Sequence, residues 1–209
     1  MFPFPFSFLG GSPPLELIDN HHSMEFNGVD DYIDCGNPIS VQFTNDFTIT
    51  GWFKTSSAAL QRIISKDNAA AGGRSYFVRV NTNLDAALFT HSSHPGGING
   101  STLVVNDGDW HFFAFVVEEG VGTTLYIDDT TPTFLSETTP PYNGSANLGI
   151  GSRQDDQRFF DGHLDEIALF DYKLEASDVQ AIYDATDTNL TADLSSMATP
   201  PVAWYRMGD

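Results

Sequence analysis

The hydrophobic positions of this chain fall into short runs separated by Gly, Pro, Asn and Asp. In DFTITGWFKT, Phe47, Ile49, Gly51 and Phe53 share one parity, the spacing that turns one face of a β-strand toward a core. Comparable runs occur in MEFN (24–27), DYID (31–34), RIISKD (62–67), SYFVRVN (75–81), AALFTH (86–91), STLVVN (101–106), NLGIGS (147–152) and HLDEIALFD (163–171). WHFFAFVVEE and TTLYIDD flank Gly120–Gly122 and read as a hairpin. About a dozen short strands with few helices predict an all-β chain, a two-sheet antiparallel jelly-roll sandwich. The exception is EASDVQAIYDA, where Val179, Ile182 and Tyr183 recur at helical spacing. Ser177 or Glu175 stands near its start, where a cap or an acid is favoured, so one short helix is expected near 175–185.

The pattern changes at both ends. In residues 1–23, Phe2, Phe4, Phe6 and Phe8 alternate with Pro3, Pro5 and Ser7. Proline fixes φ and removes a donor, so this reads as an extended arm. Four phenylalanines need a surface to lie on, either the arm's own sandwich or another subunit. Residues 24–185 carry the sandwich, and residues 186–201 are rich in Thr, Asp, Ser and Pro and read as a linker. The chain then closes on PVAWYRMGD.

Composition narrows the partners. The 209 residues are 41% apolar and 13% aromatic, enough for a packed core. Asp and Glu number 28 against 9 Lys and Arg, for a net charge of −19. Such a surface repels phosphate backbones and anionic membranes, so nucleic acid is not an expected partner. No apolar run reaches the length of a membrane span. Cys35 is the single cysteine, so stability rests on packing and not on an intrachain disulfide. The N-terminus lacks a basic segment before its apolar run and contains no recognisable signal peptide. The expected location is nonetheless extracellular or a virion surface.

Candidate chemistry is sparse. FDGHLDE (160–166) holds Asp161, Asp165 and Glu166, and FNGVDDY (26–32), with Asp30 and Asp31, nearly repeats it. Gly162 permits a tight turn, Asp161 can cap it, and Asp165 or Glu166 can bridge to the start of the domain. On a regular strand over 164–171, Asp165 and Glu166 face opposite ways. No Gly-x-Ser-x-Gly occurs, and Cys35 lies in no nucleophile motif. His91 and His94, in a Gly/Pro loop, and His21 and His22, in the arm, are weak metal pairs. Asn99, Asn143 and Asn189 begin glycosylation sequons, which matter only on a eukaryotic secretory route.

MEFNGVDDYIDCGN, DFTITGWFKT, IISKD, GDWHFFAFVVEEG, TTLYIDD, LGIGS and FFDGHLDEIALFDYKLEASDVQAIYDA stand in the order of a laminin G-like, concanavalin A-like domain. The resemblance covers roughly residues 24–185. It implies two curved antiparallel sheets that bind glycans or proteins, in many members with a calcium ion. Glycoside hydrolases on this architecture set two carboxylates about 5–5.5 Å apart along one strand. No Glu-x-Asp-x-x-Glu occurs here, so a non-catalytic chain is expected. The chain is more loosely similar to pentraxins, whose two rim loops hold calcium. That similarity implies Asp67 and Asn68 in one loop and Gln154, Asp155 and Asp156 in the other as calcium ligands, although Arg153 stands where an acid is expected. The family opens with a strand that the N-terminal arm lacks, and VAWYRMGD (202–209) resembles it. That segment can complete a sheet in cis, or in trans on a neighbour, with Trp204 and Tyr205 as anchors. The expected function is a non-catalytic binding or structural module on a larger assembly, such as a virion decoration or fibre protein. Its arm and C-terminal strand would contact other protein subunits, and its sandwich would face glycans. The alternative is a free, secreted, calcium-dependent carbohydrate-binding or adhesion protein.

Overall fold

The computed structural model describes residues 15–208, apart from 69–71, 92–93, 101–102, 129–130, 137, 139, 154, 156–157 and 187–188; for 87–100 it describes the backbone alone. The strands are β1 (Leu17–Asp19), β2 (Met24–Asn27), β3 (Ile33–Asp34), β4 (Phe47–Lys54), β5 (Gln61–Lys66), β6 (Tyr76–Val80), β7 (Leu84–His91) and β8 (His94–Gly100). They continue as β9 (Trp110–Glu118), β10 (Gly122–Ile127), β11 (Thr133–Ser136), β12 (Gly149–Ile150) and β13 (Asp161–Phe170). The helix α1 (Ala176–Asp184) then precedes β14 (Leu190–Ala192) and β15 (Ala203–Tyr205).

Two antiparallel sheets form the sandwich. One runs β11-β10-β9-β4-β13-β15, with β2 also on β13; the other runs β3-β12-β5-β6-β7-β8. One parity of β4, β9 and β13 (Phe47, Ile49, Phe53, Phe113, Phe115, Leu164, Ile167, Leu169) fills the core against Ile64, Tyr76 and Val78 of the other sheet. Phe43 and Phe47 stack at 4.7 Å, and Phe47 meets Phe115 edge-on at 6.0 Å. The opposite parity is apolar as well, which happens when both faces of a sheet are covered. Phe112, Ala114, Val116, Ala168 and Phe170 form a second cluster beneath Val179 and Ile182 of α1 and Ala192 of β14. Glu175 N donates to the Asp178 carboxylate at 3.3 Å at the start of α1.

Two elements differ from expectation, and a third takes one of the two arrangements expected for it. STLVVN is not a strand over its described residues: β8 lies earlier and pairs with β7 from Asp85↔Gly100 to His91↔His94. Backbone pairing there outweighs the weak strand propensity of HPGGING, while Val105 plugs the core from a loop. The expected arm and linker also meet: β1 and β14 form a two-stranded ribbon, Leu17↔Ala192 to Asp19↔Leu190. Finally, β15 pairs with β13 of its own chain, Ile167↔Tyr205 to Leu169↔Ala203, so the sheet is completed in cis. β2 and β15 share the same edge of β13, β2 against 161–164 and β15 against 167–169.

Candidate functional site

The interval between β2 and β15 holds the decisive irregularity. Along β13, Asp165 faces Trp52 and Ala168 faces Thr50 of β4, so Glu166 and Ile167 share the space opposite Gly51. This is a β-bulge, with Glu166 at φ +52°. Ile167 turns into the core and leaves Glu166 on the outer face with Asp165. The strict alternation expected from the sequence is therefore corrected: both carboxylates lie on one side of the sheet. Gly162, four residues earlier, has φ +143°, and a Cβ there would sit 2.1 Å from the Lys54 carbonyl oxygen.

The two acids have different environments. Glu166 is 4% exposed, and its Oε2 accepts a 2.6 Å bond from Trp204 Nε1, with Arg206 Nε 3.5 Å from Oε1. Burial, and next the Asp165 charge, raise its pKa to about 7 against the pull of Trp204 and Arg206. The void beside it holds only about 10 Å³, so Glu166 is a buried latch residue out of reach of a ligand. Asp165 Oδ1 accepts from Glu166 N at 2.9 Å and Oδ2 from Asn20 Nδ2 at 3.0 Å, and this carboxylate reaches the floor of an open cleft of about 490 Å³.

The sandwich gives this cleft Trp52, Trp110 and Asp165, neighbours on the outer faces of β4, β9 and β13. Its other wall is the β1–β14 ribbon and its flanks: Asn20, His21, His22 and Ser23 on one side, Asn189 to Thr191 and Thr186 on the other. Trp52 is held by Tyr183, stacked at 5.9 Å, and by Phe112. Trp110 is 39% exposed, its ring tilted against His163 at 6.2 Å, and Ser23 Oγ lies 3.4 Å from His163 Nδ1. A half-open indole in one cleft with a fixed carboxylate, amides and hydroxyls can hold a ligand that has an apolar face and a hydroxylated edge. The sequence reading missed Trp52 and Trp110. The available signal was the apolar run at both parities in β9, which marks a sheet with an occupied outer face.

Residues 27–180 match the laminin G-type family described as the concanavalin A-like lectin/glucanases superfamily. The chain belongs to that superfamily. No curated protein matches the sequence. The lectin-like fold recurs in the native heptameric SAP-like pentraxin from Limulus polyphemus, with a TM-score of 0.62 at 15% identity over 86% of this chain and 89% of that one. It recurs in a Bacteroides ovatus protein described as carbohydrate binding, with a TM-score of 0.67 at 13% identity over 94% of this chain and 53% of that one. Domains LG4-5 of the mouse laminin alpha1 chain give 0.57 at 14% identity over 76% and 43%. This domain thus spans about half the length of the latter two. At these identities the likeness shows the fold.

Eight of the residues lining the cleft lie outside the 27–180 match, so most of its wall is built by the segments flanking the family's shared sandwich.

The pentraxin-like loops are arranged differently. Asp67 is buried, 3.3 Å from Arg62 Nη2 and 3.6 Å from Arg74 Nε, while Asp155 pairs with Arg153. Burial raises the Asp67 pKa, and the arginines oppose the shift. Asp67 and Asp155 are thus engaged in ion pairs with Arg62, Arg74 and Arg153, whose guanidinium groups stand where a calcium ion would supply the positive charge. Among the described residues no group of three His, Cys, Asp or Glu gathers as a metal site. Asn68 adjoins Gly73, and Gln154 and Asp156 lie outside the described residues.

Asp30 and Asp31 close a loop on Asn27: Asn27 N donates to Asp31 at 3.0 Å and Asn27 Nδ2 to Asp30 at 2.8 Å. Phe160 joins that loop to the start of β13, its carbonyl accepting from Gly28 N at 2.8 Å, while Asp161 N donates to Gln61 Oε1 of β5 at 2.6 Å. Trp204 and Tyr205 are engaged within the chain, Trp204 on Glu166 and Tyr205 against the core and Cys35. Phe2, Phe4, Phe6 and Phe8 lie outside the described residues. No described helix is long and apolar enough to cross a membrane.

Proposed function

We propose that this domain is a non-catalytic lectin-type module that holds a carbohydrate in the cleft between Trp110, Asp165 and the β1–β14 ribbon. The carrying observation is the pairing of a 39% exposed indole with a carboxylate fixed by two hydrogen bonds at the floor of a 490 Å³ cleft. Sugars stack their apolar faces on such rings and give their hydroxyls to such oxygens. Proteins of similar fold lend support, among them the carbohydrate binding protein of Bacteroides ovatus and a botulinum neurotoxin binding domain in complex with SialylT. The non-catalytic reading is supported by Glu166, whose carboxylate is committed to Trp204 and Arg206. Calorimetry against an oligosaccharide panel tests the proposal. Trp110→Ala is expected to weaken binding by about tenfold or more with little change in melting temperature. Equal binding by the variant, or no sugar bound by the native chain, overturns the reading. Binding is expected to survive a chelator, because Asp67 already has its cations in Arg62 and Arg74.

A second reading concerns display. The Phe2–Phe8 alternation supports docking of the N-terminal arm on other subunits of a larger assembly, such as a virion surface. With β15 paired in cis, the arm carries this role alone. Light scattering on the full chain and on a chain lacking residues 1–14, which keeps β1, tests it. An oligomer that falls to monomer supports the reading, and a monomer in both cases removes it.

A further inference from the structure

We infer that the cleft selects an uncharged glycan and reads it through the terminal ribbon more than through the shared sandwich. This rests on the carbohydrate reading above and specifies its ligand. Charge is the first ground. Among the described residues that line it there is no Lys or Arg, and Asp165 is the one carboxylate. A sialic or uronic acid would set a second carboxylate into the cleft of Asp165 with no Lys or Arg among the described lining residues, on a molecule of net charge −19. The scarce basic residues are mostly elsewhere: Arg62, Arg79, Arg153 and Arg158 act on one another at the other sheet, and Arg74 serves Asp67 there. Arg206 is turned to Glu166 and to the Asp19 carbonyl. Lys54 stands in the cross-strand row of Trp110 and His163, two residues beyond Trp52, and is not among the residues lining the cleft.

The second ground is the donor set. Asn20, His21, His22, Ser23, Asn189 and Thr191 line the same cleft as the indole, and their amides, hydroxyls and imidazoles are a mixture suited to neutral hydroxyl groups that both donate and accept. All of these stand on the ribbon or its flanks. Asn20 also fixes the Asp165 carboxylate, so the ribbon orients the sandwich's one charged contributor as well. Domains that share this sandwich but carry another ribbon would present Trp52, Trp110 and Asp165 to a different wall.

The test titrates the full chain with matched pairs of oligosaccharides, a neutral galacto- or gluco-oligosaccharide and its sialylated or uronate counterpart. The native chain is expected to bind the neutral member more tightly by about tenfold. Asp165→Asn, which keeps one acceptor for Asn20 and gives up the one for Glu166 N, is expected to narrow that preference by raising affinity for the acidic member. A His21→Ala/His22→Ala variant, altered only at exposed side chains, is expected to lose affinity for the neutral member with an unchanged melting temperature. Preference for the acidic sugar overturns this inference while leaving the carbohydrate reading in place. Full affinity in the double histidine variant overturns the ribbon's role. Failure to bind any sugar overturns the carbohydrate reading itself.

Discussion

At Glu166 a single positive φ decides what two neighbouring carboxylates can do. The bulge sets both on the outer face, and burial with the Asp165 charge raises Glu166 to about 7. The consequence is a pH dependence with a definite sign. Below its ordinary 4.5 the group is neutral whether the chain is folded or not, and between 4.5 and about 7 only the folded chain holds the proton. Stability is therefore fully present at the acid end of this window and is lost as pH rises through 7, by an amount on the order of 3 kcal/mol. His111 acts in the same direction. Held by Asp128 at 2.8 Å, and then by Asp107 at 3.1 Å, its pKa rises above 6.5, and its stabilisation is lost as pH climbs through the raised value. Denaturant midpoints are thus expected to fall between pH 5 and 8. Glu166→Gln, which keeps an acceptor for Trp204, should flatten the part of the slope that Glu166 supplies. An unchanged slope in that variant would show that Glu166 is ionised throughout.

At the scale of elements, β15 is a short strand secured by side chains more than by length. Three residues pair with β13, and Trp204 anchors them on the bulge. Trp204→Phe keeps the ring but removes the donor, leaving a buried carboxylate oxygen unsatisfied at a cost of about 1–3 kcal/mol. Its melting temperature should drop, and combining it with Glu166→Gln should recover part of the loss, since a neutral amide is cheaper to leave unpaired. Additive losses would show that the two residues are not coupled. In the core, Phe47 contacts Phe43, Tyr76 and Phe115, and Phe47→Ala is expected to cost about 3–5 kcal/mol by chemical denaturation.

Over the whole molecule, −19 charges repel one another at low ionic strength. Added monovalent salt should raise the melting temperature up to the range where the screening length is about 8–10 Å. A fall over that range would mean that the Arg62–Asp67–Arg74 and Arg79–Asp85 pairs outweigh the repulsion. Salt should leave the affinity for a neutral sugar nearly unchanged, because no formal charge on the ligand is being screened.

Much was legible in the sequence because it is local. The alternation in β4, the hairpin at Gly120–Gly122, the helical spacing of Val179 and Ile182, and the order of the motifs each depend on near neighbours, and they determined the two-sheet sandwich and its family. The N27-GVDD loop closes on itself for the same reason. What depends on partners far along the chain was decided only by the tertiary structure. Nothing near Glu166 announces a bulge, which falls between the stretches of β13 that pair with β2 and with β15. Leu17–Asp19 and Leu190–Ala192 are too short and too polar to read as strands alone, and they become a ribbon only when folding brings the two ends together. The cleft is formed by that encounter: Trp52, Trp110 and Asp165 are adjacent across strands, and a wall from both ends of the chain closes over them.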